Sequence, residues 1–322
     1  MSSHGSGPIG PTQLLLMLHA LPGVGEKTLA ALLREIRRSG LSAGEILALT
    51  PDETIQRLGL KPETADHLYT HRRALVEAAA ETARALREFP LTVLALDSAT
   101  YPDRLTRNEP SPPPVLYLLG NAALLSDRSE AGFTFTIAVS NGADQAALSR
   151  LDSLASKLCA FGGIPVTGHD RAPYQRMALA AQRGGLPTVY VFDRGLRDCL
   201  GPRFDRPPFA SARIREAAFA WERDLAISPF RIDDHCLGAN NRRRDDLVFA
   251  LADRIVALDV KAGGAMMEGC RAALAAKRPV YVAEGGREGA GALQAAGAVL
   301  LPADAGEAAR IVAGGEARTD AE

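Results

Sequence analysis

NNRRRDDLVFALADRIVALDV, from Asn240 to Val260, sets the fold class. Leu247–Ala252 reads as a short helix and Arg254–Leu258 as a strand of apolar residues without polar alternation. A strand of that kind is covered on both faces, as in a parallel sheet. Three consecutive arginines, Arg242, Arg243 and Arg244, stand at the mouth of this helix-then-strand unit. Arginine offers a planar fork of donors that matches phosphate geometry. The helix is expected to start just after them, which would place its free N–H groups and positive dipole end nearby. A phosphate-bearing ligand is the first expectation, and a solvated basic turn is the alternative.

Working outward, the same alternation recurs from residue 133 onward. Candidate strands are Phe133–Val139, Ile164–Val166, Thr188–Phe192, Arg254–Leu258, Pro279–Val282 and Ala298–Leu300. Candidate helices are Ala143–Cys159, Tyr174–Gln182, Ala212–Asp224, Leu247–Ala252, Met266–Ala276 and Gly289–Ala295. Alternating strands and helices predict an α/β fold: an extended, Rossmann-like, doubly wound and mostly parallel sheet over residues 91–305. Its first pieces are Leu91–Leu96, a proline-rich connection (Pro110, Pro112, Pro113, Pro114) and Val115–Leu118. Ligands of such folds bind beyond the carboxyl ends of the strands. Residues 1–90 form a small helical domain of helix-hairpin-helix or SAM-like type, and residues 306–322 a disordered tail. Helical spacing of Leu29, Leu32, Leu33 and Ile36, a Thr50 cap before Pro51, and a start at Pro62 support the helical reading.

Composition narrows the function classes. The 322 residues are 47% hydrophobic and 23% charged, with a formal net charge of −1. No global basic field advertises nucleic acid, so a polyanion site must be a local patch. Cys159, Cys199, Cys236 and Cys270 form no C-x-x-C pair, which argues against structural zinc and against a disulfide scaffold. His235 and Cys236 adjoin without a second pair at ligand spacing, so no metal is expected. The amino terminus has no basic region leading into an apolar core, and no apolar run reaches about 18 residues. The expectation is a cytoplasmic protein that neither spans nor binds a membrane.

Several loops carry the remaining chemistry. Leu21-Pro22-Gly23-Val24-Gly25-Glu26-Lys27-Thr28 has the pattern of a helix-hairpin-helix turn. Its glycines Gly23 and Gly25 allow backbone N–H groups near a phosphate, and Lys27 adds charge. The same motif also packs protein on protein. Val139-Ser140-Asn141-Gly142, Thr167-Gly168-His169-Asp170-Arg171 and Lys261-Ala262-Gly263-Gly264-Ala265 each follow a candidate strand. None contains G-x-G-x-x-G, so a dinucleotide fingerprint is lacking and no cofactor is expected. Ser140 or Asn141 can equally cap a helix. His169 and Asp170 are expected on a polar loop rim rather than in acid–base work. Single Trp221 and 5% aromatic residues offer little for base stacking.

In their order, these motifs resemble the DNA-processing protein A (Smf) family. The resemblance runs from the Leu21–Thr28 hairpin to about Leu301. It includes Tyr101-Pro102-Asp103-Arg104-Leu105, Pro114-Val115-Leu116-Tyr117, Gly120, Thr167-Gly168, Gly184–Leu196, Ser228-Pro229-Phe230, Asn240–Asp246, Asp259 and Gly263-Gly264. It implies single-stranded DNA binding, delivery to the RecA recombinase during natural transformation, and a homodimer. It implies no enzymatic chemistry and no catalytic residues. The implied DNA or phosphate contacts are Ser140, Asn141, Gly168, Arg171, Asn240, Arg242, Arg243, Arg244, Gly263 and Gly264, with a weaker hairpin contact at Gly23, Gly25 and Lys27.

Two departures matter. The family's Gly-Ser-Arg loop appears as Val139-Ser140-Asn141, and its Arg-Asn-Arg as Arg244-Asp245-Asp246. An added carboxylate repels phosphate at close range. A diverged sensor that binds a small nucleotide in the same cleft is therefore the alternative. A nucleotide hydrolase on a related scaffold is disfavoured, because Gly263-Gly264 lacks the following Gly-Thr and Cys270 stands where a glutamate is needed.

Overall fold

Capping chemistry fixes where the amino-terminal helices begin. In the computed structural model, which describes residues 9–126, 132–210, 212 and 219–314, α1 spans Pro11–Ala20 and α2 Glu26–Ser39. Next come α3 (Ala43–Ala48), α4 (Pro51–Leu58) and the 25-residue α5 (Pro62–Leu86). Ser42 and Thr50 cap α3 and α4, each in a reciprocal box with the glutamate three residues on, Glu45 and Glu53. Each such cap stabilises its helix by about 1 kcal/mol. Gly40 and Gly59 end α2 and α4 in the left-handed region, at φ 66° and 67°. The apolar faces meet around buried Leu18, Leu29, Leu32, Ile46, Leu58 and Leu68. These helices form one compact unit, residues 9–101 with Pro112–Leu118, which also takes in β1 (Leu91–Ala95) and most of β2 (Val115–Gly120).

The second unit comprises Pro102–Ser111 and the chain from Leu119. After α6 (Asp103–Asn108) it alternates β3 (Thr134–Val139), α7 (Gln145–Ala160), β4 (Ile164–Thr167), α8 (Ala172–Arg183), β5 (Val189–Val191), α9 (Leu196–Leu200) and β6 (Leu225–Ser228). It continues with α10 (Asn240–Leu251), β7 (Arg254–Asp259), α11 (Ala265–Ala275), β8 (Val280–Ala283), α12 (Gly289–Ala295), β9 (Val299–Leu301) and α13 (Ala305–Gly314). Strands run in the order β6-β5-β4-β3-β7-β8-β9. Every neighbouring pair in this run is parallel, with Ile137 opposite Val256 in the central β3–β7 pair. Strands β3 to β6 are buried along their whole length, as continuous apolar runs require.

The chain works outward from β3 to β6, crosses back through α10, and then works outward again from β7. The reversal therefore lies between β3 and β7, and the loops after these two strands flank the crevice where such sheets hold ligands.

Three expectations need correction. The helix led by the arginines begins at Asn240, not after Arg244, so the arginines lie inside its first turns. Strand β6 was not expected, and a helix was expected over Ala212–Asp224. Residues 211 and 213–218 lie outside the described residues. Residues 219–224 form a turn, held by the buried Asp224 carboxylate, which accepts the N–H groups of Thr188 (3.1 Å) and Ala220 (3.0 Å). Finally, α13 occupies part of the stretch assigned to a tail. Its Ala308, Ala309 and Val312 are buried and it packs on α7, while residues 315–322 lie outside the described residues.

Candidate functional site

At the carboxyl ends of β3, β4 and β7 the loops singled out in the sequence come together. Ser140 follows β3, and its N–H donates to Asp259 O at 2.8 Å. Its hydroxyl accepts the Lys261 N–H at 3.0 Å. Ser140 thus ties the two loops of the crevice to each other. Asn141 is exposed, and its Oδ1 accepts from Arg171 at 3.4 Å. Gly263 takes a left-handed φ of 73°, and Gly264 is the N-cap of α11 with no side chain capping the helix. Asn240 donates to the backbone oxygen of Asp193 at 2.9 Å.

Gly168 is buried beneath the arginines. A Cβ there would lie 2.6 Å from the Tyr174 ring and 2.8 Å from Arg244 Cδ. Only glycine leaves room for Arg244 to pass, which gives Thr167-Gly168 a steric reason.

The three arginines have different environments. Arg244 is 1% exposed and fully engaged. Its Nε donates to Asp245 Oδ1 at 2.8 Å, its Nη1 contacts Asp170, and Asp193 Oδ2 lies 3.6 Å away. Burial opposes its charge, but Asp245 and Asp170 keep its pKa above the ordinary arginine value. Arg243 binds Glu109 at 3.2 Å and the Ser111 carbonyl at 2.6 Å. Arg242 is half exposed and bridges Asp246 (3.0 Å) and Glu268. Cations in the first turns of a helix oppose its dipole. The carboxylates around α10 answer that cost locally.

Arg171 completes the group. It lies 3.4 Å from Asp245 and 4.3 Å above the Tyr174 ring, which also faces Arg244 at 5.1 Å. The Tyr174 hydroxyl donates to Asp245. Burial, then the nearby Asp245 charge, raises the Tyr174 pKa, so the phenol stays protonated as a donor. Burial likewise raises Asp246 and Glu109, with Arg242 and Arg243 respectively pulling the other way.

Asp193, two residues after β5, was missed in the sequence, and the signal was its place beyond a strand's carboxyl end. His169 was expected on a rim but is buried, with Nε2 3.1 Å from Asp193 Oδ1. Asp170, Tyr174, Glu109 and Glu268 were also missed as arginine partners. Glu109 and Glu268 are far away in sequence and adjacent only through the fold.

The hairpin lies in the other compact unit. Gly23, Gly25 and Lys27 are exposed there, and Gly23 has φ 76°. Thr64 Oγ1 donates to Pro22 O at 3.2 Å, which braces the turn from α5. A groove of about 550 Å³ beside it is lined by Lys27, Thr28, Arg38, Arg57 and Gly59.

Among the described residues no group of three or more His, Cys, Asp and Glu is placed to hold a metal, and no helix is long and apolar enough to cross a membrane. All four cysteines are free.

No protein-family model matches the chain, and no curated protein matches it by sequence. Solved structures do match. DNA processing protein A (DprA) from Streptococcus pneumoniae aligns with a TM-score of 0.67 at 17% identity, over 93% of this chain and 97% of that one. DprA from Helicobacter pylori, whose structure was described for its single-stranded DNA binding mode, aligns with a TM-score of 0.50 at 18% identity, over 66% of this chain and 91% of that one. The chain thus has the extended, mostly parallel Rossmann-like fold of DNA processing protein A.

Proposed function

We propose that this chain is a single-stranded DNA-binding recombination mediator of the DprA type. It takes DNA at the carboxyl ends of β3, β4 and β7 and delivers it to a RecA recombinase during DNA uptake, as a cytoplasmic homodimer and without catalysis. The observation that carries this reading is the gathering of Arg171, Arg242 and Arg244 with the Ser140–Asn141 and Gly263–Gly264 loops, on a fold shared with a DNA-binding protein, whereas Arg243 turns to Glu109 and Ser111. Of these four arginines Arg242 is the most exposed, with about half of its side chain open. Titration of a labelled oligo-dT by fluorescence anisotropy tests the proposal. Affinity is expected to fall linearly in log–log form with salt, because bound cations release counterions. No binding at micromolar protein and low salt would overturn it.

The neutralised arginines favour a second reading. Arg244, Arg243 and Arg242 each face at least one carboxylate, so the cleft offers a long polyanion less free charge than its sequence suggests. A small nucleotide needs fewer phosphate contacts and could use the Ser140 and Gly263–Gly264 loops with Lys261. Calorimetry across a nucleotide panel separates the two readings: heat with a mononucleotide and none with oligo-dT favours the second.

A further inference from the structure

Deep in the same unit, three side chains form a line that meets the arginine cluster at Asp193. Cys199, in α9, is half-buried, and its Sγ lies 4.0 Å from His169 Nδ1. The other ring nitrogen, Nε2, lies 3.1 Å from Asp193 Oδ1. The imidazole plane is fixed by Phe192, with ring centroids 4.8 Å apart. The Asp193 carboxylate is fixed in turn by Arg194 Nε at 2.8 Å. Burial opposes ionisation of Asp193, but His169 and Arg194 outweigh it and hold the pKa well below the usual carboxylate range. Asp193 is therefore an acceptor. It selects the tautomer with the proton on Nε2, which leaves Nδ1 free to accept from the thiol, whose other acceptor is the Pro208 carbonyl, also at 4.0 Å.

We propose that Cys199 is a thiol arranged for exchange with small disulfides, with His169 as its base and Asp193 as the positioning residue. In the exchange, the thiol proton passes to His169 Nδ1 as Sγ forms a bond to one sulfur of the disulfide. The disulfide's own S–S bond breaks, its second sulfur leaves with the electron pair, and His169 returns the proton to it. Cys199 ends oxidised in a mixed disulfide, and half of the reagent ends reduced as a free thiol. Asp193 stabilises the imidazolium in between, as carboxylates do for catalytic histidines.

This arrangement has a kinetic signature. Burial pushes the Cys199 thiol up to about 12, with Arg194 pulling it down and Asp193 and Asp198 pushing it further up. Free thiolate is scarce at neutral pH, and an unassisted thiol would gain about tenfold in rate per pH unit far into the alkaline range. Proton transfer to His169 removes the need for free thiolate, so the rate should gain well under tenfold per pH unit.

The test uses the full chain carrying Cys236→Ser, which removes the other half-buried thiol; Cys159 and Cys270 are buried. The probe is 5,5′-dithiobis(2-nitrobenzoate), followed by its colour, with the adduct located by peptide mass mapping. The expected result is one adduct at Cys199 in the folded protein, a rate that gains well under tenfold per pH unit between about pH 7 and 9, and a loss of about a hundredfold in His169→Gln. No adduct at Cys199, a rate that climbs about tenfold per pH unit through about pH 9, or a rate unchanged in His169→Gln overturns the proposal. If His169→Gln fails to fold, the pH profile of the Cys236→Ser protein decides alone.

Discussion

Arg244 turns back on its neighbour: its Nε donates to Asp245 Oδ1 at 2.8 Å, although adjacent helical residues do not normally face each other. The same oxygen accepts the Tyr174 hydroxyl and lies 3.4 Å from Arg171. Asp245 is thus the hub of the cluster, while Asp246 faces outward to Arg242 at 3.0 Å. The two adjacent aspartates therefore do different things. One builds the cluster and the other screens it.

Removing the screen should strengthen anion binding. Asp246 faces Arg242 and Arg243, with Asp245 on its own helix, and burial raises its pKa. Protonation deletes a negative charge beside two guanidinium groups. Affinity for oligo-dT is thus expected to rise as pH falls from neutral toward the carboxylate range. Asp246→Asn should bind severalfold tighter at neutral pH and lose part of that pH dependence. Anisotropy titrations of both proteins at two pH values check this, and equal affinities at neutral pH would contradict it.

The arginine run should split in stability measurements. Arg244→Ala leaves Asp170, Asp193 and Asp245 around an uncompensated site and is expected to cost about 3–5 kcal/mol. Arg242→Ala removes a half-exposed pair and should cost less than about 1 kcal/mol. Urea denaturation of the two variants compares them. The same split means that a loss of DNA binding in Arg244→Ala reports on the fold of the cleft, whereas a loss in Arg242→Ala reports on contact.

Much of this architecture is legible in the residues. Strands β3, β4, β7, β8 and β9 show as apolar runs because both faces of a parallel sheet are buried. Helix α12 shows its full span, Gly289–Ala295. Strand β6 is only Leu-Ala-Ile-Ser, and the turn before it is held by Asp224 across 36 residues, a contact that no local pattern announces. The site divides in the same way. The loops that end strands are visible from glycine and polar residues after apolar runs. The state of the arginines is not, because Glu109 lies 134 residues before Arg243 and Glu268 lies 26 residues after Arg242. Charge in a sequence shows which groups are present, and only the fold shows which of them are already paired.

Gly168 is predicted to tolerate no side chain. In Gly168→Ala the new methyl group would meet the Tyr174 ring and Arg244 Cδ below 3.0 Å, and both neighbours are buried and hydrogen-bonded to Asp245. Overpacking of this kind costs about 1–3 kcal/mol. A lowered thermal midpoint, together with weaker oligo-dT binding, is the expected outcome. An unchanged midpoint would mean that the cluster is looser than its geometry indicates.

Acid should undo the Asp193 contribution in a defined window. Its folded pKa lies below the ordinary aspartate value of about 3.9, because His169 and Arg194 favour the carboxylate more than burial disfavours it. A depressed carboxyl pKa stabilises the fold above the unfolded value and loses that contribution as pH falls through the folded one. The stability gap between the wild-type chain and Asp193→Asn should therefore shrink as pH falls below about 4. At neutral pH the gap is expected to be about 1–3 kcal/mol, the cost of breaking hydrogen bonds to a buried charged group. Denaturant midpoints measured across that pH range give the gap directly. A gap that persists unchanged at the lowest pH would show that Asp193 acts through shape rather than through charge.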